Sequence, residues 1–239
     1  MTICLPLDGV YNELNSYISI MKKLILYTIG IFLFLSSCAD GQGSKNGDGF
    51  TVLPAPKAGE AVATFAGGCF WSMSEAMSEL KGVNKVISGY AGGTTKNPTY
   101  REVSSQNTNH AETVQIYYDP KVISFDKIAE AFFFAHDPTT LNRQGPDEGT
   151  DYRSIAFYRN EAEKNTIEAA IKKVNKSKHY ADPIVTQVVP FKVFYPAENY
   201  HQGYYRSHPD QPYIVGVSEP KVMKFRKAMK ADLKPEFAL

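Results

Sequence analysis

Cysteine is scarce in this 239-residue chain. Cys4, Cys38 and Cys69 are the whole complement, no two of them make a CxxC pair, and the five histidines are scattered. That spacing excludes a cysteine- and histidine-held zinc site, which draws its ligands from closely spaced pairs. Net charge is equally thin at +1, and no run of lysine and arginine interleaved with aromatics is present to follow a phosphate backbone, so nucleic acid is excluded as a partner. A membrane-spanning run is missing as well: the apolar stretch Leu24 to Leu35 is too short to cross a bilayer comfortably. No internal repeat is found.

What is present is 43% hydrophobic residues, enough for one globular domain beyond an N-terminal leader. Lys22 and Lys23 follow Met21 and precede the apolar run, the layout of a signal peptide over residues 21–37. Residues 1–20 carry acidic residues and a proline upstream of a complete Met-Lys-Lys start, so they read as an upstream extension, with Met21 the expected initiator. Leu35-Ser36-Ser37-Cys38 resembles the lipobox of bacterial lipoproteins. That resemblance implies cleavage before Cys38, lipid attachment to it, and an extracytoplasmic, membrane-anchored protein. Residues 38–60, rich in glycine and then proline, are expected to be a flexible tether, with a folded catalytic domain over 61–239. Cys69 is then the only free thiol of the mature chain.

The chemistry is expected around Gly67-Gly68-Cys69-Phe70-Trp71. Val62 to Ala66 reads as a short buried strand, and Phe70, Met73, Met77 and Leu80 recur at helical spacing, with Gly82 as the closing glycine. Cys69 would sit in the first helical turn, where unpaired N–H groups and the macrodipole favour a thiolate nucleophile. The alternative is a small buried filler. Trp71 falls off the core stripe and reads as a pocket wall.

In Ala111 to Tyr118, alternation puts Glu112 on the face of Val114, Ile116 and Tyr118, where burial would keep its carboxyl protonated as a donor. A solvated strand start is the competing reading. Ser124 caps a helix ending at His136, itself read as a structural cap. The polar loop 139–152 holds Arg143, Gln144, Asp147, Asp151 and Tyr152. Ser154 to Tyr158 and Ile184 to Val189 read as strands, flanking a helix from Asn160 to His179. His201 and His208 lack companions for a metal site.

Eight ordered blocks then carry a resemblance. They are Gly68-Cys69-Phe70-Trp71, Gly89-Tyr90-Ala91-Gly92-Gly93, Asn97-Pro98-Thr99-Tyr100, His110-Ala111-Glu112, Tyr118-Asp119-Pro120, His136-Asp137-Pro138, Arg143-Gln144-Gly145 and Gly149-Thr150-Asp151-Tyr152-Arg153-Ser154. Together they resemble the A-type peptide methionine sulfoxide reductases. The resemblance implies an α+β fold, a compact two-layer domain with a mixed β-sheet, that reduces the S epimer of methionine sulfoxide, free or in proteins. It implies Cys69 as nucleophile, Glu112 as proton donor, and Tyr100 and Tyr152 as hydrogen-bond donors to the sulfoxide oxygen. Phe70 and Trp71 would wall the methyl slot, and Asp147 would hydrogen-bond the substrate. No cofactor is bound, no metal is needed, and a monomer is expected.

The chain departs from the family in its missing resolving cysteine. None follows Cys69, and Glu102-Val103-Ser104-Ser105 stands where some relatives have a cysteine. The Cys69 sulfenic acid would therefore be returned to thiol by an external reductant of thioredoxin, glutaredoxin or small dithiol type. Ser72, Asn109 and Asp151 are lesser departures. Two other classes stay open: a cysteine hydrolase using His110, His136 or His201 as base, and a lipoprotein that only binds.

Overall fold

The computed structural model describes residues 49–238. The upstream extension, the leader and Cys38 lie outside the described residues. The chain alternates strands and helices: β1 (Ala61–Ala66), α1 (Phe70–Ser78), β2 (Val83–Ala91), α2 (Tyr100–Ser104), β3 (Ala111–Tyr118) and α3 (Phe125–Phe134) come first. A two-strand hairpin, β4 (Arg143–Gln144) and β5 (Asp147–Glu148), and a 3-10 turn (Thr150–Tyr152) break up the polar loop. β6 (Ile155–Tyr158), α4 (Glu161–Ser177), β7 (Gln187–Pro190) and β8 (Phe194–Pro196) follow, and then α5 (Tyr204–Ser207) and α6 (Glu219–Ala228).

Six strands form one sheet in the order β7-β6-β1-β3-β2-β8. Only β6 and β7 run parallel; the other neighbours are antiparallel, so the sheet is mixed, in an α+β fold. β3 pairs with β1 and β2, and all eight of its residues are buried. Its alternation splits two cores. Val114, Ile116 and Tyr118 join the cluster built with Phe70, Met73 and Phe132, while Ala111 and Tyr117 join Ile155 and Phe157 on the opposite face. Glu112 shares the first face and is buried, which removes the solvated-start reading.

The expected helical stripe of α1 holds: Phe70, Met73, Met77 and Leu80 are each no more than 1% exposed. Gly82 does not close that helix. α1 stops at Ser78 with Glu79 as its cap, because Leu80 leaves the helix to bridge Leu233; Gly82, at φ 80°, turns the chain into β2 instead. Residues 49–60 are not loose where they are described. Thr51 N–H donates to the Ala197 carbonyl at 3.2 Å, and the Tyr117 hydroxyl donates to the Pro54 carbonyl at 2.9 Å. The tether composition hid these backbone bonds, which no side-chain pattern announces. The strand expected from Ile184 instead begins at Gln187, and the helix from Asn160 ends at Ser177 with Lys178 in the left-handed region.

Glu79 has no exposed surface, and Arg226 of α6 meets it with two bonds of 2.7 and 2.9 Å. Arg226→Ala would leave that carboxylate buried without its cation. The expected loss is about 3–5 kcal/mol of unfolding free energy, read from urea melts.

Candidate active site

β1 ends in Gly67-Gly68, and Gly68 sits at φ 79° with the side chain of Gln144 where a Cβ would go, 2.4 Å from its Cγ. Only glycine accepts both conditions. The turn delivers Cys69 to the N-cap of α1, at φ −53° and ψ 120°, with its carbonyl accepting from Met73 N–H and the Ser72 hydroxyl. The free first-turn donor of Phe70 does not go to sulfur. It is given to Glu112 Oε2 across from β3, at 2.9 Å.

Cys69, Trp71, Tyr100, Glu112, Tyr152, Gln211 and Tyr213 line one cavity of about 220 Å³. Glu112 is 3% exposed. Burial raises its carboxyl to about 8, and the charges of Asp151 and Asp147 push the same way against the Phe70 N–H and Lys221. Glu112 thus holds a proton at neutral pH. Burial also raises both phenols, Tyr100 and Tyr152, so each offers an O–H into the cavity. An acid and two phenols therefore face one sulfur.

The thiol itself departs from the helix-start expectation. Burial pushes Cys69 up to about 12, reinforced by the charge of Glu112; the Trp71 backbone N–H, the Tyr213 hydroxyl and Lys221 pull the other way without prevailing. The resting group is a thiol. Dipole reasoning counts the first-turn N–H groups, but the strand and helices that bury the sulfur are remote in sequence.

The walls are held by a network from the C-terminal third. Glu198 accepts from the Tyr90 hydroxyl at 2.9 Å and from the Tyr100 backbone N–H at 2.8 Å, which fixes the start of α2. Trp71 Nε1–H donates to His201 Nδ1 at 3.1 Å, and its indole stacks on Tyr204 at 3.9 Å between centroids. Phe70 is 1% exposed and lies behind this wall rather than in it, its ring packed on Tyr90 and His201. Asp147 does not line the cavity. Its Oδ2 accepts from the Tyr213 hydroxyl at 2.6 Å and lies 3.4 Å from Lys221 Nζ. Tyr213 is a site residue that sequence reading missed, since it lies in an aperiodic tail past the last recognisable block.

The histidines are occupied elsewhere. His110 accepts from Gly93 N–H and donates to the Thr95 carbonyl. His136, lowered by burial to about 4, donates Nδ1–H to the Phe132 carbonyl and accepts from Ser154, closing α3 as expected. His201 is likewise lowered to about 4 and accepts the hydrogen bond of the indole N–H through Nδ1. None of the three lines the cavity with Cys69, so the hydrolase reading has no base.

Comparison with known proteins points one way. A family model described as peptide methionine sulfoxide reductase matches residues 61–233. The chain is 54% identical over 168 residues to the peptide methionine sulfoxide reductase MsrA of Picrophilus torridus, covering 70% of this chain and 94% of that protein. It is 52% identical over 165 residues to the MsrA of Leptospira borgpetersenii, covering 69% and 93%. Among solved structures, reduced Mxr1 of Saccharomyces cerevisiae aligns at TM-score 0.61 and 33% identity, over 66% of this chain and 90% of that one. Methionine sulfoxide reductase A of Corynebacterium diphtheriae aligns at 0.58 and 30%, over 72% and 92%.

Proposed function

Because the chain belongs to the peptide methionine sulfoxide reductase family and is an enzyme of the MsrA type, we propose that it reduces the S epimer of methionine sulfoxide, free or in proteins, through a sulfenic acid on Cys69. The observation that carries this reading is a protonated, buried Glu112 facing the same cavity as Cys69 and two phenols. A sulfoxide oxygen leaves only when protonated, so the attacking sulfur must be paired with an acid that still holds its proton.

In the reaction the sulfoxide sits with its methyl group against Trp71, which Phe70 backs from behind, and its oxygen between Glu112, Tyr100 and Tyr152. Asp147, just outside the cavity lining, binds the substrate through hydrogen bonds, with Oδ2 already engaged by Tyr213. Glu112 protonates the oxygen as the Cys69 sulfur attacks. In sum the oxygen passes to Cys69: the substrate sulfur gains two electrons, Cys69 loses two, and methionine leaves. One external thiol then displaces water from the sulfenic acid to make a mixed disulfide, and a second thiol releases Cys69. A thioredoxin-, glutaredoxin- or small dithiol-type donor fits this step, because the sequence has no cysteine after Cys69. An intramolecular disulfide in the oxidised enzyme, seen by intact mass, would sink the one-cysteine route.

The test is incubation of the full chain with a dithiol and peptides carrying the S or the R sulfoxide, followed by mass spectrometry. Loss of oxygen from the S peptide alone is expected. Equal turnover of both would overturn the epimer assignment, and turnover of neither would overturn the reductase reading.

Asp151, a departure noted in the sequence, is 2% exposed and pushes Glu112 upward. Asp151→Asn is therefore expected to lower the Glu112 pKa and move the alkaline fall in kcat/KM to lower pH. A pH profile beside wild type checks it.

Attachment through Cys38 remains part of the proposal, resting on the lipobox-like stretch. Among the described residues no helix is long and apolar enough to cross a membrane. The protein should partition into detergent, and Cys38→Ser should move it to the aqueous phase.

A further inference from the structure

The catalytic cavity, at about 220 Å³, has room for little beyond one side chain, so the flanks of a peptide substrate must lie outside it. A second hollow stands close by. Tyr213 of the cavity wall donates to Asp147 at 2.6 Å, Asp147 pairs with Lys221 at 3.4 Å, and Lys221 lines a space of about 710 Å³. Gln144 lines the same space while its side chain packs on Gly68, beside the nucleophile.

One side of this hollow is aromatic and already in place. His179 meets Phe134 edge-on at 4.9 Å and Tyr180 at 4.7 Å, and the Tyr180 hydroxyl is held by the Phe133 carbonyl at 2.6 Å. The other side is basic. Lys221, Lys224 and Lys227 follow at three-residue spacing along α6, which makes them neighbours on one flank of the helix. Lys221 is engaged by Asp147, whereas Lys224 and Lys227 are exposed and have no ion-pair or hydrogen-bond partner among the described residues. Asp137 also lines the hollow, but its Oδ1 accepts from the Thr139 N–H and hydroxyl. Like charges so spaced repel, and a carboxylate placed between them relieves the repulsion.

We propose that this hollow is a subsite for acidic residues flanking methionine sulfoxide in protein substrates, with Lys224 and Lys227 selecting them. An extended chain advances about 3.3–3.6 Å per residue, so the side chain that reaches the lysines belongs to a residue within about three of the sulfoxide. Its carboxylate meets the two free ammonium groups, and its methylene stem lies against Tyr180 and His179. A concave space of this size suits a peptide segment, whereas a folded thiol reductase docks through a broad face of about 800 Å². The enzyme then favours oxidised methionines in acidic stretches of its substrates.

The inference rests on the reductase reading, and free methionine sulfoxide, too short to reach the hollow, reports that reading separately. Peptides carrying one S sulfoxide between glutamate, alanine or lysine flanks are turned over by the full chain with excess small dithiol. The glutamate peptide should exceed the lysine peptide in kcat/KM by about three- to tenfold, through KM, and salt near 1 M should erase the difference. Joint Lys224→Glu and Lys227→Glu changes should reverse the order and leave free methionine sulfoxide turnover at the wild-type rate. The paired alanine changes should flatten the order without reversing it, which covers the case in which charge reversal disturbs α6. An order that is absent in wild type, or unchanged in both variants, would overturn the subsite. So would variants that slow only thioredoxin-driven recycling, which would assign the lysines to the reductant.

Discussion

Cys69→Ser is expected to bring methionine sulfoxide reduction to background, the largest effect any single substitution should have here. Oxygen cannot take the place of sulfur in this chemistry. A serine hydroxyl ionises far less readily than a thiol, and it has no counterpart to the sulfenic acid that carries the abstracted oxygen. The fold should survive, since serine is slightly smaller and Met73 N–H bonds the carbonyl at this position, not the side chain. Burying a hydroxyl where the thiol is 5% exposed would cost about 1–3 kcal/mol. Methionine formed per hour with excess dithiol, beside a thermal melt, separates lost chemistry from lost fold. Turnover within tenfold of wild type would remove Cys69 from the mechanism, and the binding-only lipoprotein reading would gain only if wild type were equally inactive.

Glu112→Gln should lower kcat/KM by about 10²–10⁴-fold, the usual contribution of a positioned general acid. The amide keeps an oxygen to accept from Phe70 N–H, so the helix start stays in place and the loss reports the proton. In wild type the acid works while protonated, so activity should hold below its pKa of about 8 and fall as pH rises through it. The glutamine variant should lack that fall. Stability carries the same sign. Folding raises the pKa of Glu112, so the native state binds its proton more tightly than the unfolded chain does. Its contribution is fully present below the ordinary carboxylate range and declines as pH climbs to about 8. At pH 9, therefore, Glu112→Gln should melt above wild type while remaining slower, an opposition that a merely damaged fold would not produce.

Much of this site was legible because its parts are local. Gly68 and Cys69 announce a strand-to-helix turn, and period-two alternation put Glu112 on the buried face of β3. Tyr100 and Tyr152 came through the resemblance, and the structure brings both to the same cavity as Cys69. The failures share a cause in long-range packing. A helix-start argument sees the N–H groups near Cys69 but not the strand and helices that bury it, and so it gave the wrong direction for the thiol. Phe70, next to the nucleophile in sequence, is turned inward by Tyr90 and His201 from other segments. Tyr213 has no periodic neighbours and gains meaning only when α6 brings Lys221 to Asp147. The alternation of β3 could be read because a strand's own residues define its faces. The backing of Trp71 by Tyr204 and His201 could not, since the chain returns to it after most of the fold is built.

That backing has an optical consequence. Trp71 is the chain's single tryptophan, and it stands in the slot wall with its N–H on His201 and its face on Tyr204. Indole emission from the intact protein therefore originates from one place, beside the reacting sulfur. Filling the slot changes what that indole faces, and binding can therefore be followed in real time without attaching a label.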